Sequence, residues 1–209
     1  MVRIFNVDCM KAMAEMKTDY YDLAIVDPPY GIGIDGQKKQ VCKNPKHNRK
    51  LHKHKGLDTK RPPREYFEER ERVSKHQIIW GANYFSEYLK PSKGWIVWDK
   101  GQKGLTMSDC ELAFSSFDKP TRIFVCNRAA LAQEGTIHPT QKPIKLYMWL
   151  LYRYAEPGWR ILDTHLGSGS SAIACHDLGF DFDGFELDEE YYNNAMKRFR
   201  IHARQMKLF

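Results

Sequence analysis

The run Trp159-Arg160-Ile161-Leu162-Asp163-Thr164-His165-Leu166-Gly167-Ser168-Gly169-Ser170-Ser171-Ala172-Ile173-Ala174-Cys175 decides the fold. A short apolar strand ends in an acid, Gly167 and Gly169 allow a tight turn, and the residues from Ser170 onward suit a helix. Strand, glycine-rich turn and helix make the repeating unit of a parallel α/β sheet. The first amides of that helix are donors without a partner in the helix, and the glycines let a ligand come close to them. Twenty-three residues after Asp163, Glu186 closes a second short strand, Phe182-Asp183-Gly184-Phe185. An acid there can hold both hydroxyls of a ribose. A lone GxG would be read as a structural turn. Turn, helix and acidic strand end together point to a nucleotide-like cofactor held by Asp163, Gly167, Ser168, Gly169 and Glu186.

Outward from this unit the chain alternates strands and helices. Strands are expected at Val2 to Val7, Asp22 to Val26, His76 to Trp80, Gly94 to Trp98, Cys110 to Phe114 and Arg122 to Cys126. Helices are expected from Asp8 (as N-cap), near Tyr84 to Leu89, and over 144–155, 170–178 and 188–206. The reading is a mostly parallel Rossmann-like sheet with helices on both faces. Ligands then bind at the carboxyl ends of the strands, where Asp8, Asp27, Asp163 and Glu186 all fall.

The strand Asp22-Leu23-Ala24-Ile25-Val26 stops at Asp27-Pro28-Pro29-Tyr30-Gly31 because two prolines cannot feed a ladder. This end suits a planar amine. The Asp27 carboxylate and the Pro28 carbonyl can each accept a hydrogen bond from an exocyclic NH2, and Tyr30 can stack on the ring. A plain strand-ending turn is the alternative.

With 209 residues the chain is expected to form one domain, spanning 1–209. No apolar run approaches the roughly 20 residues of a bilayer span, and no secretory segment opens the chain. The five cysteines, Cys9, Cys42, Cys110, Cys126 and Cys175, are scattered without a CxxC, which fits a reducing cytoplasm. Net charge is +7, yet Gly31 to His76 alone carries +8. Residues 31–75 therefore read as a basic insertion in an otherwise near-neutral protein. A solvated charge run is the plain reading, and a phosphate-rich partner is the other. Cys42, His47, His52 and His54 match no standard zinc spacing, and no metal is expected.

Three of these segments resemble the amino-methylating DNA methyltransferases that use S-adenosylmethionine. Asp27-Pro28-Pro29-Tyr30 resembles their catalytic DPPY motif. Asp163 to Gly169 resembles their cofactor loop, usually D-P-F-x-G-S-G, with Thr164-His165 standing where Pro-Phe is usual. His138-Pro139-Thr140-Gln141-Lys142-Pro143 is similar to their HPTQKP signature. The catalytic motif precedes the cofactor loop, as in the circularly permuted beta group.

The resemblance implies a site-specific, adenine-N6 DNA methyltransferase acting on a flipped base. Asp27, Pro28, Pro29 and Tyr30 would be catalytic. It adds Asp8, Cys9, Thr140, Lys142 and His165 to the cofactor residues. It makes double-stranded DNA the partner of the basic stretch, with Lys46, Arg49, Lys50, Lys53 and Lys55 on phosphates and Arg128 assisting. It also implies a homodimer, a bacterial or phage-infected cytoplasm and a restriction-modification setting, with no membrane partner. Cytosine-N4 methylation, methylation of RNA or protein, and a silent DNA-binding protein of the same fold are the alternatives. Trp80 and Trp98 read as core, and Asp99 and Glu111 carry no role.

Overall fold

A computed structural model describes residues 1–36, 52–102, 108–127 and 135–205. Among them eight strands form one sheet: β1 (Val2–Asn6), β2 (Tyr21–Val26), β3 (Ser74–Trp80), β4 (Trp95–Asp99), β5 (Cys110–Ser115), β6 (Arg122–Val125), β7 (Arg160–Asp163) and β8 (Asp181–Glu186). Their order is β1-β8-β7-β2-β3-β5-β4-β6. Only β5 runs against the rest. The carboxyl ends of the other seven strands therefore share one edge, and the start of β5, with Glu111, faces that same edge. This is the expected mostly parallel architecture.

Among the described residues five α-helices cover the sheet: α1 (Cys9–Ala14), α2 (Arg64–Val73), α3 (Ile144–Tyr154), α4 (Ser170–Leu178) and α5 (Glu189–Arg204). Central strands buried on both faces are apolar at nearly every position, because a strand's side chains alternate between two dry layers. Leu23 and Ile25 of β2 pack with Leu146, Leu150 and Ala174 of α3 and α4. Ala24 and Val26 pack with Met13, Tyr66 and Phe67 of α1 and α2 on the other face. The helix ends are set locally. Asp8 and Asp188 accept hydrogen bonds from Met10 N and Tyr191 N as side-chain N-caps. Gly179, at φ 76°, ends α4, with Phe180 N donating to Cys175 O.

Two expectations are corrected. The segment from Tyr84 to Leu89 is two single 3-10 turns, Ala82–Tyr84 and Ser86–Tyr88, rather than a helix. Phe85, at φ −128°, breaks the run between them. The basic stretch, for which no helix is expected, does contain one. Its last part is α2, whose Tyr66, Phe67, Arg70 and Val73 recur at helical spacing and are buried. No helix among the described residues is long and apolar enough to cross a membrane.

The chain departs from β7 through α4 toward β8 on one side, and from β2 through α2 toward β3 on the other. The direction of winding thus reverses between β7 and β2. A crevice opens outside the strand ends at such a reversal. Asp163 ends β7 and Asp27 follows β2, one on each side of it.

Candidate active site

On the β2 side, Asp27 is tied from two directions. Tyr30 Oη donates to Asp27 Oδ1 at 2.6 Å, and the Lys142 ammonium donates to Asp27 Oδ2. Lys142 is 3% exposed at its side chain and lies 3.1 Å from Glu111 Oε2. Lys100 Nζ in turn meets Glu111 Oε1 at 2.8 Å. Four buried or half-buried charges thus form an alternating row, Asp27, Lys142, Glu111, Lys100, with no net charge. Burial pushes the Asp27 carboxyl above its ordinary range; Lys142 pulls it back and the neighbouring Glu111 charge adds to the rise. Burial also opposes the charge of Glu111, but Lys142 and Lys100 flank it and hold its carboxyl at about 2. Of the two acids that share Lys142, Asp27 is the more ready to take a proton.

Tyr30 is fixed by its surroundings. Its ring stacks on Tyr84 at 5.0 Å between centroids and lies against Gly81, where an added Cβ would sit 2.1 Å from Cε1. Gly81 has φ +68°, so both its backbone and its missing side chain are needed there. Pro28 is buried beside Asp27 and Pro29 half-buried.

On the β7 side, Asp163 is 1% exposed. It accepts from Ser171 Oγ at 2.6 Å and from His165 N at 3.1 Å. Burial pushes it up to about 7 despite those bonds. Glu186 accepts from Gly167 N at 2.8 Å and Asp188 N at 3.0 Å, which holds the glycine turn against β8. Burial raises its carboxyl as well. Asp8 caps α1 just after β1, and Glu186 and Asp163 end β8 and β7, so the three acids stand at the ends of adjoining strands. Cys9 lies next to Asp8, its thiol pushed up to about 12 by burial, and is a neutral group. Ser168 Oγ pairs with Ser170 Oγ at 3.1 Å. Gly167 and Gly169 adopt φ +53° and +74°.

Thr164 and His165 are knit into the wall of this half. Thr164 Oγ1 lies 2.7 Å from Tyr66 Oη and 2.9 Å from His165 Nδ1. The His165 ring meets Tyr66 edge-on at 5.3 Å. Burial lowers its pKa to about 4, so the imidazole is neutral at ordinary pH.

The 138–143 segment spans both halves. The His138 ring lies 3.7 Å from the position of a Cβ on Gly167 and 4.4 Å from the Tyr191 ring. Four residues on, Lys142 reaches Asp27. Thr140 is exposed and bonded to His138 Nδ1 at 3.2 Å. The resemblance groups Lys142 and Thr140 with the cofactor loop. The structure puts the Lys142 ammonium at the Asp27 carboxylate and directs Thr140 to its own turn.

Of the cations expected on phosphates, Lys46, Arg49 and Lys50 lie outside the described residues, as does Arg128. Lys53 is exposed. Lys55 is not presented outward: its ammonium meets Asp188 at 2.6 Å and Glu190 at 2.9 Å and sits 4.2 Å over the Tyr191 ring. It ties the middle of the basic stretch to the start of α5. Sequence reasoning missed Glu111, Lys100 and Tyr66. Lys100, just past β4, and Glu111, on β5, gave no sign of meeting, because the pairing of β4 with β5 leaves no local pattern in the sequence.

A family model for N6/N4 methyltransferases, described as DNA methylase, matches residues 42–197. YubD of Escherichia coli (strain K12), itself provisionally described as a methylase, is 25% identical over 229 residues, covering 99% of this chain and 94% of YubD. The M1.HpyAVI-SAM complex superposes with a TM-score of 0.63 at 20% identity, over 95% of this chain and 98% of that one. The cytosine-N4-specific PvuII DNA methyltransferase superposes equally well, with a TM-score of 0.63 at 12% identity over 94% of this chain and 85% of that one. These two likenesses concern the fold.

Proposed function

The chain belongs to the N6/N4 DNA methylase family, and from that premise we propose that it methylates the N6 amine of adenine in double-stranded DNA. The observation that carries the reading is the Asp27-Pro28-Pro29-Tyr30 corner, facing the acids of β7 and β8 across one crevice. The residues present fit S-adenosylmethionine. Three carboxylates, Asp8, Glu186 and Asp163, suit a ligand with hydroxyl and cationic groups, and the Gly167 to Gly169 turn admits it to the backbone. When bound, this cofactor supplies an electrophilic methyl group on a sulfonium centre.

The protein's own residues supply position and a proton acceptor. An adenine amine inside a duplex is stacked and paired, so the base has to leave the helix to reach Asp27. The Asp27 carboxylate and the Pro28 carbonyl accept the two N–H bonds and draw the nitrogen toward tetrahedral geometry, which localises its lone pair. Tyr30, held by Gly81 and Tyr84, walls the site. The amine attacks with that lone pair and sheds one N–H proton afterwards. Asp27, raised by burial, is the acceptor. Most of the acceleration then comes from orientation.

Asp at the first position of the tetrapeptide supports adenine, since cytosine-N4 relatives more often carry Ser there. Contacts to DNA phosphates are assigned to Lys53 and to Lys46, Arg49 and Lys50, and no longer to Lys55. Replacing these four by Gln should flatten the salt dependence of DNA binding and leave cofactor binding alone. The deciding experiment is nucleoside mass spectrometry of DNA incubated with the protein and S-adenosylmethionine. N6-methyladenine is expected. N4-methylcytosine as main product would overturn the choice of base, and methylation of RNA or protein but not DNA would overturn the substrate.

A further inference from the structure

Both oxygens of Asp27 are occupied, by Tyr30 and by Lys142, yet the proposed reaction needs that carboxylate to receive a target amine. The Lys142 ammonium is buried, so it cannot leave for water without a large cost. Its alternative lies 3.1 Å away in Glu111 Oε2. That oxygen is buried and has no aligned hydrogen bond, although it is at ion-pair distance from Lys142. The other Glu111 oxygen is held by Lys100, which keeps the carboxylate facing the ammonium. The Trp80 and Tyr30 rings lie 5.3 and 5.9 Å from Nζ and tolerate a cation beside them. We propose that Glu111, fixed by Lys100, is a second seat for the Lys142 ammonium and a positioning residue that releases Asp27 to the target amine.

In the resting arrangement Lys142 sits on Asp27 and keeps the empty pocket neutral. When the amine arrives, Lys142 shifts by a fraction of its present separation onto Glu111, and Asp27 accepts the amine in its place. No covalent bond changes in this exchange. Removing Glu111 strands the ammonium on Asp27 and leaves the row with one excess positive charge. Removing Lys142 as well restores the balance. The inference rests on the reading of Asp27 as acceptor of the amine.

The test is a double-mutant cycle on the full chain, with single-turnover methyl transfer to DNA and calorimetric cofactor binding as readouts. E111Q should slow methyl transfer by about ten-fold to a hundred-fold, the scale of a misplaced reacting group, with cofactor affinity changed less than about two-fold. In the K142M background the same E111Q substitution should change the rate by less than two-fold, and the double variant should outrun E111Q alone. A near-normal rate in E111Q, an equal slowing in both backgrounds, or a parallel loss of cofactor affinity would overturn the proposal. If E111Q does not fold, the comparison of K142M with the charge-balanced double variant decides: any effect of E111Q beyond about two-fold there contradicts it. Absence of DNA methylation by the unaltered protein would instead sink the functional reading beneath it.

Discussion

Burial holds the Asp163 carboxylate at a thermodynamic cost. Its folded pKa of about 7 stands above the ordinary 3.8. Between those values the unfolded chain gives up its proton while the folded chain keeps it, so this group's contribution to stability falls as pH rises from about 4 to 7. His165 and His138, both lowered to about 4 by burial, act in the opposite sense, losing stability as pH falls from 6.5 toward 4. Comparing Asp163→Asn with the parent isolates the first effect. The amide preserves the shape and can still accept from His165 N while donating to Ser171. At pH 8 the cofactor-free variant should be more stable by about 1–3 kcal/mol, with the gain vanishing near pH 4, and should bind S-adenosylmethionine poorly. Thermal melts at both pH values, with calorimetry, check this. No gain at pH 8 would mean the buried charge costs nothing. The position of Asp163 was legible, because a strand followed by a glycine turn is a local pattern. Its energetic state was not, because burial depends on layers brought in from across the sheet.

Between residue and fold, turns set by glycine aim the side chains proposed to be catalytic. Gly81 ends β3 and turns the chain so that Tyr84 stacks on Tyr30. In Gly81→Ala, the new methyl would collide with the Tyr30 ring and force a left-handed backbone on a residue that resists it. The expected outcome is a fall in methyl transfer of about tenfold or more, with cofactor affinity unchanged, since Gly81 lies on the β2 side of the crevice. Parallel loss of cofactor affinity would contradict the separation of the two halves. Charge density hid one element from the sequence reading. α2 carries Arg64, Glu65, Glu68, Glu69, Arg70, Glu71 and Arg72, and its apolar stripe of Tyr66, Phe67 and Val73 is narrow beside them. Arg70 takes a stripe position and is buried, its pKa lowered to about 10 by desolvation; a pattern search that counts arginine as polar misses that turn. The reverse error occurred near Tyr84, where Gly81 and the break at Phe85 leave room only for 3-10 turns.

Across the whole molecule, the sheet order divides the labour. Strands β1, β8 and β7 bring Asp8, Glu186 and Asp163 together, and β2, β3, β4 and β5 bring Asp27, Gly81, Lys100 and Glu111. The motifs on single strand ends were readable in sequence because each is contiguous. The row from Asp27 to Lys100 draws on four separate segments, and Lys142 is 115 residues from its partner; only the folded chain brings them together. On the proposed mechanism Asp27 serves the target amine and not the cofactor. The most direct test is Asp27→Ala, measured for transfer of labelled methyl to DNA beside calorimetric binding of S-adenosylmethionine. Transfer is expected to fall to background while cofactor affinity stays within about threefold, a change of under 1 kcal/mol. Near-normal transfer, or loss of cofactor binding in step with it, would mean that Asp27 does not serve the target amine.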